Sequence, residues 1–165
     1  MRILMVCTGN ICRSVMAERI LQRALEERGV ENVEVVSAGI SDEEHGNPID
    51  PRAVQILRHQ GYRTEDHAAQ QVTEDMVKNS DLILAMTKQH AKALNKVAKA
   101  AGISKPERRQ KIRLYREFGT VEPEDGNYDI NDPWYGDMED FIETLDHLED
   151  GLEGVLTHIN DHNHR

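Results

Sequence analysis

Residues 3–14 read ILMVCTGNICRS, an uninterrupted apolar run followed by a loop of small and polar residues. An apolar run of four residues, here residues 3–6, is typical of a strand covered on both faces of a parallel sheet. After the loop, apolar residues recur at helical spacing until Gly29. The stretch therefore predicts a strand, a loop and a helix, in that order.

The rest of the chain repeats this alternation. Further strands are predicted over residues 33–36, 82–86 and 112–115. Helices are predicted to begin after Asp50, Thr73 and Thr87, and a last one covers residues 141–159. Gly151 and Gly154 lie inside that last helix and predict a bend or fraying there. The pattern indicates an α/β fold: a single-domain open twisted sheet of four parallel strands with helices on both faces.

Composition limits the classes of function. The chain has 165 residues, which suits one domain over residues 1–160 followed by a polar C-terminal tail over residues 161–165. Its 30 acidic and 20 basic side chains give a formal charge of −10, which argues against nucleic acid as a partner. No apolar run approaches the roughly 20 residues of a membrane span, and the N-terminal apolar run is too short for a signal peptide. We therefore expect no membrane association and a cytoplasmic location.

The loop over residues 7–14 is where we expect the chemistry. Open α/β sheets bind ligands beyond the carboxyl ends of their strands, and this loop follows strand 1. Gly9 and Asn10 tolerate left-handed backbone angles, and a loop curled in that way turns successive N–H groups inward to bind an anion. The same amides should stabilise a thiolate at Cys7, while Arg13 offers a planar fork for two phosphoryl oxygens. A strand-ending cysteine is ordinarily a packing residue, but the whole context predicts a phosphate-binding loop after strand 1.

The only other cysteine is Cys12. Two cysteines exclude a disulfide scaffold and a four-cysteine zinc site. Cys12 could condense with an oxidised Cys7 and so protect it from further oxidation. The pair predicts a redox-sensitive nucleophile.

The pattern Cys-x-Gly-Asn-x-Cys-Arg-Ser at residues 7–14 resembles the signature of the low-molecular-weight protein tyrosine phosphatases, of the bacterial type. The resemblance continues in order along nearly the whole chain, through Ser37-Ala38-Gly39, Gly46-Asn47-Pro48, Asp50-Pro51-Arg52-Ala53, His67, Gln71-Val72-Thr73 and Asp132-Pro133-Trp134-Tyr135-Gly136. Val15 departs from it, because a proline is usual there.

The resemblance implies a role for particular residues. Cys7 would be the nucleophile that forms a cysteinyl phosphate, Arg13 would bind the phosphate, and Asp132 would act as general acid and then as general base. No metal or other cofactor would be needed. The remaining loop residues would surround the phosphate, namely Thr8, Gly9, Asn10, Ile11, Cys12 and Ser14. Ser37 and His67 would support the loop through hydrogen bonds.

The resemblance also implies the walls of a substrate crevice. These would be Ile11, Glu43, Trp134 and Tyr135, although two adjacent aromatic residues could instead be core anchors. Glu43 stands where an aromatic residue is common, and Gln70 where arginine is common. We expect carboxylates at Glu43 and Glu44 to disfavour peptides with an acidic residue next to the phosphotyrosine.

The function predicted on these grounds is hydrolysis of phosphotyrosine in protein or peptide substrates, with inorganic phosphate as product and inhibitor. One alternative is a protein-arginine phosphatase, which typically carries threonine where this chain has Ile11. A second is arsenate reduction, which requires relay cysteines, and none follows Cys12. A third is a phosphate-binding module that does not catalyse.

Overall fold

Four parallel strands form the centre of the chain, as shown by a computed structural model that describes residues 1–164. They are β1 (Arg2–Cys7), β2 (Glu34–Gly39), β3 (Leu82–Ala85) and β4 (Ile112–Leu114), in the order β2-β1-β3-β4. Because β1 and β3 are the inner strands, residues 3–7 and 82–85 are all buried. This explains their uninterrupted apolar sequence and confirms the predicted sheet.

Within residues 1–164, six α-helices cover the sheet. They are α1 (Arg13–Glu27), α2 (Pro51–His59), α3 (Glu74–Asn79), α4 (Lys88–Ala100), α5 (Lys105–Lys111) and α6 (Met138–Asn163). Alternate residues of β1 point to opposite faces. Ile3 and Met5 belong to a core shared with α1, α2 and α6, whereas Leu4 and Val6 belong to a core shared with α3 and α4. The carboxyl end of β1 is therefore fixed from both sides.

Two glycines allow the last helix to pack closely, and α6 is continuous through both without the predicted fraying. A Cβ on Gly151 would lie 2.7 Å from Cε1 of Tyr115, and one on Gly154 would collide with the carbonyl oxygen of Phe118. Both contacts are with a 3₁₀ turn, Tyr115–Phe118, that follows β4. The glycines serve packing, and the helical core on either side outweighs their low propensity.

Other boundaries also differ from those predicted. Strand β2 extends three residues beyond 36, to Gly39, and α5 was not predicted. The predicted domain boundary at residue 160 falls inside α6, whose last turn includes residues 161–163, and residue 165 lies outside the described residues. Within residues 1–164, no helix has the length and apolar character needed to cross a membrane.

Candidate active site

Cys7 is the last residue of β1 and is 2% exposed. The loop that follows it enters α1 at Arg13, so Ser14 stands in the first turn of that helix. The Oγ of Ser14 lies 3.0 Å from the Sγ of Cys7. When the sulfur is a thiolate it can only accept, and the Ser14 hydroxyl donates to it.

The loop gains its curvature at Asn10, which has a φ of +62°. Gly9 has no positive φ, so of the two residues expected to tolerate left-handed angles only Asn10 adopts one. Its missing side chain instead leaves room for Glu44, whose Cγ would lie 3.1 Å from an added Cβ. Gly39 has a related role, because a Cβ there would lie 2.5 Å from the carbonyl oxygen of Thr8. The end of β2 therefore packs directly on the backbone of the loop.

A buried polar network holds the loop from behind. Asn10 is fully buried, and its Nδ2 donates to the Oγ of Ser14 and to the Oγ of Ser37, each at 2.9 Å. Ser37 donates to Oε1 of Glu18 at 3.1 Å, and the backbone N–H of Gln70 donates to Oδ1 of Asn10 at 3.0 Å. Asn10 thus connects the loop to α1, to β2 and to the segment before Gln71.

His67 and Gln70 add two further bonds to this network. Nε2 of His67 lies 2.6 Å from the carbonyl oxygen of Asn10, so this nitrogen carries the proton and donates. Burial lowers the pKa of His67, which keeps its ring neutral. Nε2 of Gln70 donates to the carbonyl oxygen of Ser37 at 3.0 Å. Burial raises the pKa of Glu18, and the neighbouring Arg19 and the Ser37 hydrogen bond oppose that rise.

Arg13 lies almost wholly buried beside the loop, with its side chain 4% exposed. Its Nη1 donates to the carbonyl oxygen of Ile130 at 2.8 Å, while Nη2 lies 3.4 Å from Oγ1 of Thr8 and 3.5 Å from Oδ2 of Asp132. Its Nε is buried and has no hydrogen-bond partner among residues 1–164. A buried guanidinium N–H without a protein acceptor suits an anion site.

Asp132 divides its two oxygens between two neighbours. It caps a 3₁₀ turn, Pro133–Tyr135, because its Oδ1 accepts a hydrogen bond of 3.0 Å from the N–H of Trp134. Oδ2 faces Arg13 and the crevice. The turn-capping role and the position beside the loop are therefore compatible, and they belong to different atoms.

Residues of the loop after β1, together with Arg13 and Asp132, line one crevice of about 170 Å³. It is lined by Cys7, Thr8, Gly9, Ile11, Cys12, Arg13, Ser41, Glu43, Glu44, Asp132, Trp134 and Tyr135. The two aromatic side chains are 47% and 84% exposed, and their rings meet edge to face with centroids 4.9 Å apart. They are rim residues and not core anchors. Ser37 and His67 lie behind the loop and outside this lining.

The second cysteine is also buried, and both cysteines are free thiols. Burial, with the nearby Asp50 carboxylate, raises the pKa of the Cys12 thiol. Cys12 therefore stays protonated beside Cys7. No group of three or more His, Cys, Asp and Glu side chains within residues 1–164 is arranged to hold a metal ion.

Sequence reasoning missed His90, whose Nε2 lies 2.8 Å from Oγ1 of Thr8. Its ring is buried, which lowers its pKa to about 4, and the Arg13 guanidinium acts in the same direction. The nearest signal was the preceding helix cap, Thr87, which places residue 90 in the first turn of α4. Nothing in the local sequence indicates contact with a loop 82 residues away.

The amino-acid sequence matches a family model and several known proteins. The family model described as low molecular weight phosphotyrosine protein phosphatase matches residues 2–165. Low molecular weight protein-tyrosine phosphatase A of Mycobacterium tuberculosis is 38% identical over 153 residues, which cover 91% of this chain and 86% of that protein.

Two solved structures have the same fold. A protein tyrosine phosphatase from Entamoeba histolytica is 27% identical with a TM-score of 0.87, and 99% of each chain is covered. A mutant of the YwlE arginine phosphatase, a Bacillus subtilis protein, is 31% identical with a TM-score of 0.79 and covers 97% and 96% of the two chains.

Proposed function

The chain belongs to the low molecular weight phosphotyrosine protein phosphatases, and we propose that it hydrolyses phosphotyrosine through a cysteinyl-phosphate intermediate without a metal ion. One observation carries the proposal. Cys7 and Arg13 from the loop after β1 and Asp132 from a distant turn line one crevice, whose rim bears Trp134 and Tyr135.

In the first step the Cys7 thiolate attacks phosphorus in line, so that an S–P bond forms as the P–O bond to the tyrosine breaks. Arg13 and the loop amides stabilise the charge on the three non-bridging oxygens. A protonated Asp132 gives its proton to the leaving phenolate. The Ser14 hydroxyl, 3.0 Å from the sulfur, stabilises the thiolate before attack.

In the second step water attacks the cysteinyl phosphate and the S–P bond breaks. Asp132, now a carboxylate, accepts a proton from the water, and inorganic phosphate leaves. The positive charge that binds the phosphoryl oxygens comes from Arg13 and from backbone amides, so the scheme assigns no role to a metal. Support for a covalent step comes from the YwlE mutant, which is described as having a phosphorylated active-site serine.

A phenol, such as the tyrosine side chain, is the leaving group that suits the crevice best. Ile11 and the two exposed aromatic rings give it apolar walls, and the phosphate loop lies at its base. The proposed substrates are phosphotyrosyl proteins or peptides, with inorganic phosphate as product and inhibitor. A cytoplasmic location is proposed too, where thiols such as Cys7 and Cys12 stay reduced.

A protein-arginine phosphatase is the second candidate, since the YwlE arginine phosphatase shares the fold. Glu43 and Glu44 line the crevice and would attract a guanidinium. Ile11 and the aromatic rim favour tyrosine over arginine. Arsenate reduction is the weakest candidate, because no relay cysteine follows Cys12.

The test is turnover of phosphotyrosine, phosphoserine and phosphoarginine side by side, with and without a chelator. We expect phosphotyrosine to be hydrolysed fastest and the chelator to have no effect. Faster turnover of phosphoarginine would establish the second candidate instead. Cys7→Ser should lose roughly a thousandfold or more in kcat while still binding inorganic phosphate, and full activity in that variant would refute the covalent scheme.

A further inference from the structure

Arg52, the second residue of α2, connects the start of that helix to the turn at residues 133–136, more than 80 residues later in the chain. Its Nη1 donates to the carbonyl oxygen of Gly136 at 3.2 Å and its Nη2 to that of Trp134 at 3.1 Å. Its Nε and Nη2 also donate to the Asp50 carboxylate, each at 3.3 Å. The guanidinium lies over the ring of Phe141, 4.6 Å from its centroid. One side chain therefore binds both carbonyls at the end of the 3₁₀ turn.

Asp50 fixes this guanidinium relative to the phosphate loop. Its backbone N–H donates to the carbonyl oxygen of Ile11 at 2.9 Å, and its Oδ1 accepts from the N–H of Arg52 at 2.8 Å. The side chain of Asp50 is 7% exposed and that of Arg52 34% exposed, so this ion pair is held from its buried carboxylate side. The loop, Asp50 and Arg52 thus form one connected unit.

The turn that Arg52 binds is the turn that orients Asp132. The N–H of Trp134 donates to Oδ1 of Asp132, which leaves Oδ2 directed at Arg13. A three-residue 3₁₀ turn has little stability of its own, and its internal closing bond is the one from Gly136 to Pro133. The direction of Oδ2 therefore depends on contacts from outside the turn.

We propose that Arg52 is a positioning residue for the acid: it holds the turn so that Oδ2 of Asp132 stays at the leaving-group side of the crevice. The inference rests on the proposed role of Asp132 as general acid. Arg52 does not line the crevice, so it acts through the turn and not on substrate.

The loss of Arg52 should affect substrates differently according to their leaving groups. A poor leaving group needs the proton from Asp132, whereas a good one departs without it. Loss of Arg52 should therefore slow formation of the cysteinyl phosphate from esters with poor leaving groups and spare it for esters with good ones. Binding of inorganic phosphate, which depends on the loop and Arg13, should change little.

The experiment compares wild type, Arg52→Gln and Arg52→Lys on p-nitrophenyl phosphate and phenyl phosphate. Arg58→Gln is the matched control, because Arg58 lies on the same helix and, among residues 1–164, its Nε donates to Oγ1 of Thr64 on the surface. We expect Arg52→Gln to lower kcat/KM on phenyl phosphate about tenfold or more and on p-nitrophenyl phosphate by less than about twofold. The quantity compared is kcat/KM because it reports formation of the cysteinyl phosphate, whereas kcat also includes its hydrolysis, which is the same step for both esters. The inhibition constant of phosphate should stay within about twofold, and the control should match wild type. In an Asp132→Ala background, Arg52→Gln should add nothing.

Equal losses of kcat/KM on both substrates, weakened phosphate inhibition, or an additive loss in the Asp132→Ala background would each overturn the inference. If circular dichroism shows that Arg52→Gln does not fold, Arg52→Lys provides the test. Its loss on phenyl phosphate should again exceed its loss on p-nitrophenyl phosphate, but by a smaller factor. Lysine keeps the charge beside Asp50 but lacks the planar fork by which two nitrogens of Arg52 donate to the two carbonyls. A wild-type enzyme that hydrolyses neither ester would overturn the proposed function and the inference together, whereas unselective loss overturns the inference alone.

Discussion

We expect Asn10→Ala to lower the free energy of unfolding by about 4 kcal/mol, since alanine removes the centre of the network behind the phosphate loop. The Asn10 side chain is fully buried and makes three hydrogen bonds, to Ser14, to Ser37 and to the backbone N–H of Gln70. Alanine makes none of them and leaves that N–H without an acceptor.

The magnitude follows from these bonds and from the backbone. Three buried hydrogen bonds at about 1 kcal/mol each give about 3 kcal/mol. Residue 10 has a φ of +62°, a region that asparagine tolerates and that costs alanine about 1 kcal/mol more. Asn10→Gly removes the same bonds without the backbone cost, so its loss should be about 3 kcal/mol.

The assay is urea denaturation of wild type and both variants, with the inhibition constant of inorganic phosphate measured in parallel. We also expect phosphate to bind more weakly, because the variants no longer hold the loop or the Ser14 hydroxyl. A loss below about 1 kcal/mol for Asn10→Ala would refute the idea that this network stabilises the loop. A glycine variant less stable than the alanine variant would refute the backbone contribution.

Three further results are expected. Neutralising the rim with Glu43→Gln and Glu44→Gln should raise kcat/KM about threefold for phosphotyrosyl peptides with a neighbouring acidic residue and leave neutral peptides unchanged; an unaltered peptide preference would contradict the electrostatic explanation. Peroxide should oxidise Cys7 to a sulfenic acid that condenses with the Cys12 thiol and releases water, so that activity returns with a dithiol in wild type but not in Cys12→Ser; equal recovery would show that Cys12 has no protective role. His90 has a folded-state pKa of about 4 against 6.5, so the unfolded chain binds the proton first and stability falls as pH drops from about 6.5 to about 4. Between pH 7 and pH 5, the free energy of unfolding measured in urea should fall by about 2 kcal/mol less in His90→Asn than in wild type. If it falls equally in both proteins, the buried His90 ring is not neutral.

Much of this architecture could be predicted because it is local. The order of β1, the loop and α1 follows from residues 3–29 alone, since an apolar run, a polar loop and a helical period adjoin there. Helix α5 was missed because it has no apolar stripe, and its one buried residue is Lys111. A signal was present in its cap, since Ser104 accepts a hydrogen bond from the N–H of Glu107 and a proline lies in the first turn.

The site was only partly predictable for a different reason. Side chains with distinctive chemistry, such as Cys7 and Asp132, can be recognised from their motifs. The contacts that place them cannot, because they join distant segments and often end on backbone atoms. Arg13 donates to the carbonyl oxygen of Ile130, and His90 reaches Thr8 from another helix. A carbonyl oxygen has the same chemistry at every residue, so no sequence pattern marks it.

The phosphate loop and the turn that carries Asp132 are separate in the sequence, so substitutions can change one without the other. The proposed nucleophile and the phosphate loop occupy eight consecutive residues that begin at the last residue of β1, whereas the proposed acid comes from residue 132 on a surface turn. We therefore expect substitutions in that turn and in its support to change which leaving groups are accepted while phosphate still binds. On this scheme one phosphate-binding loop can serve different phosphoesters through changes confined to the rim of the crevice.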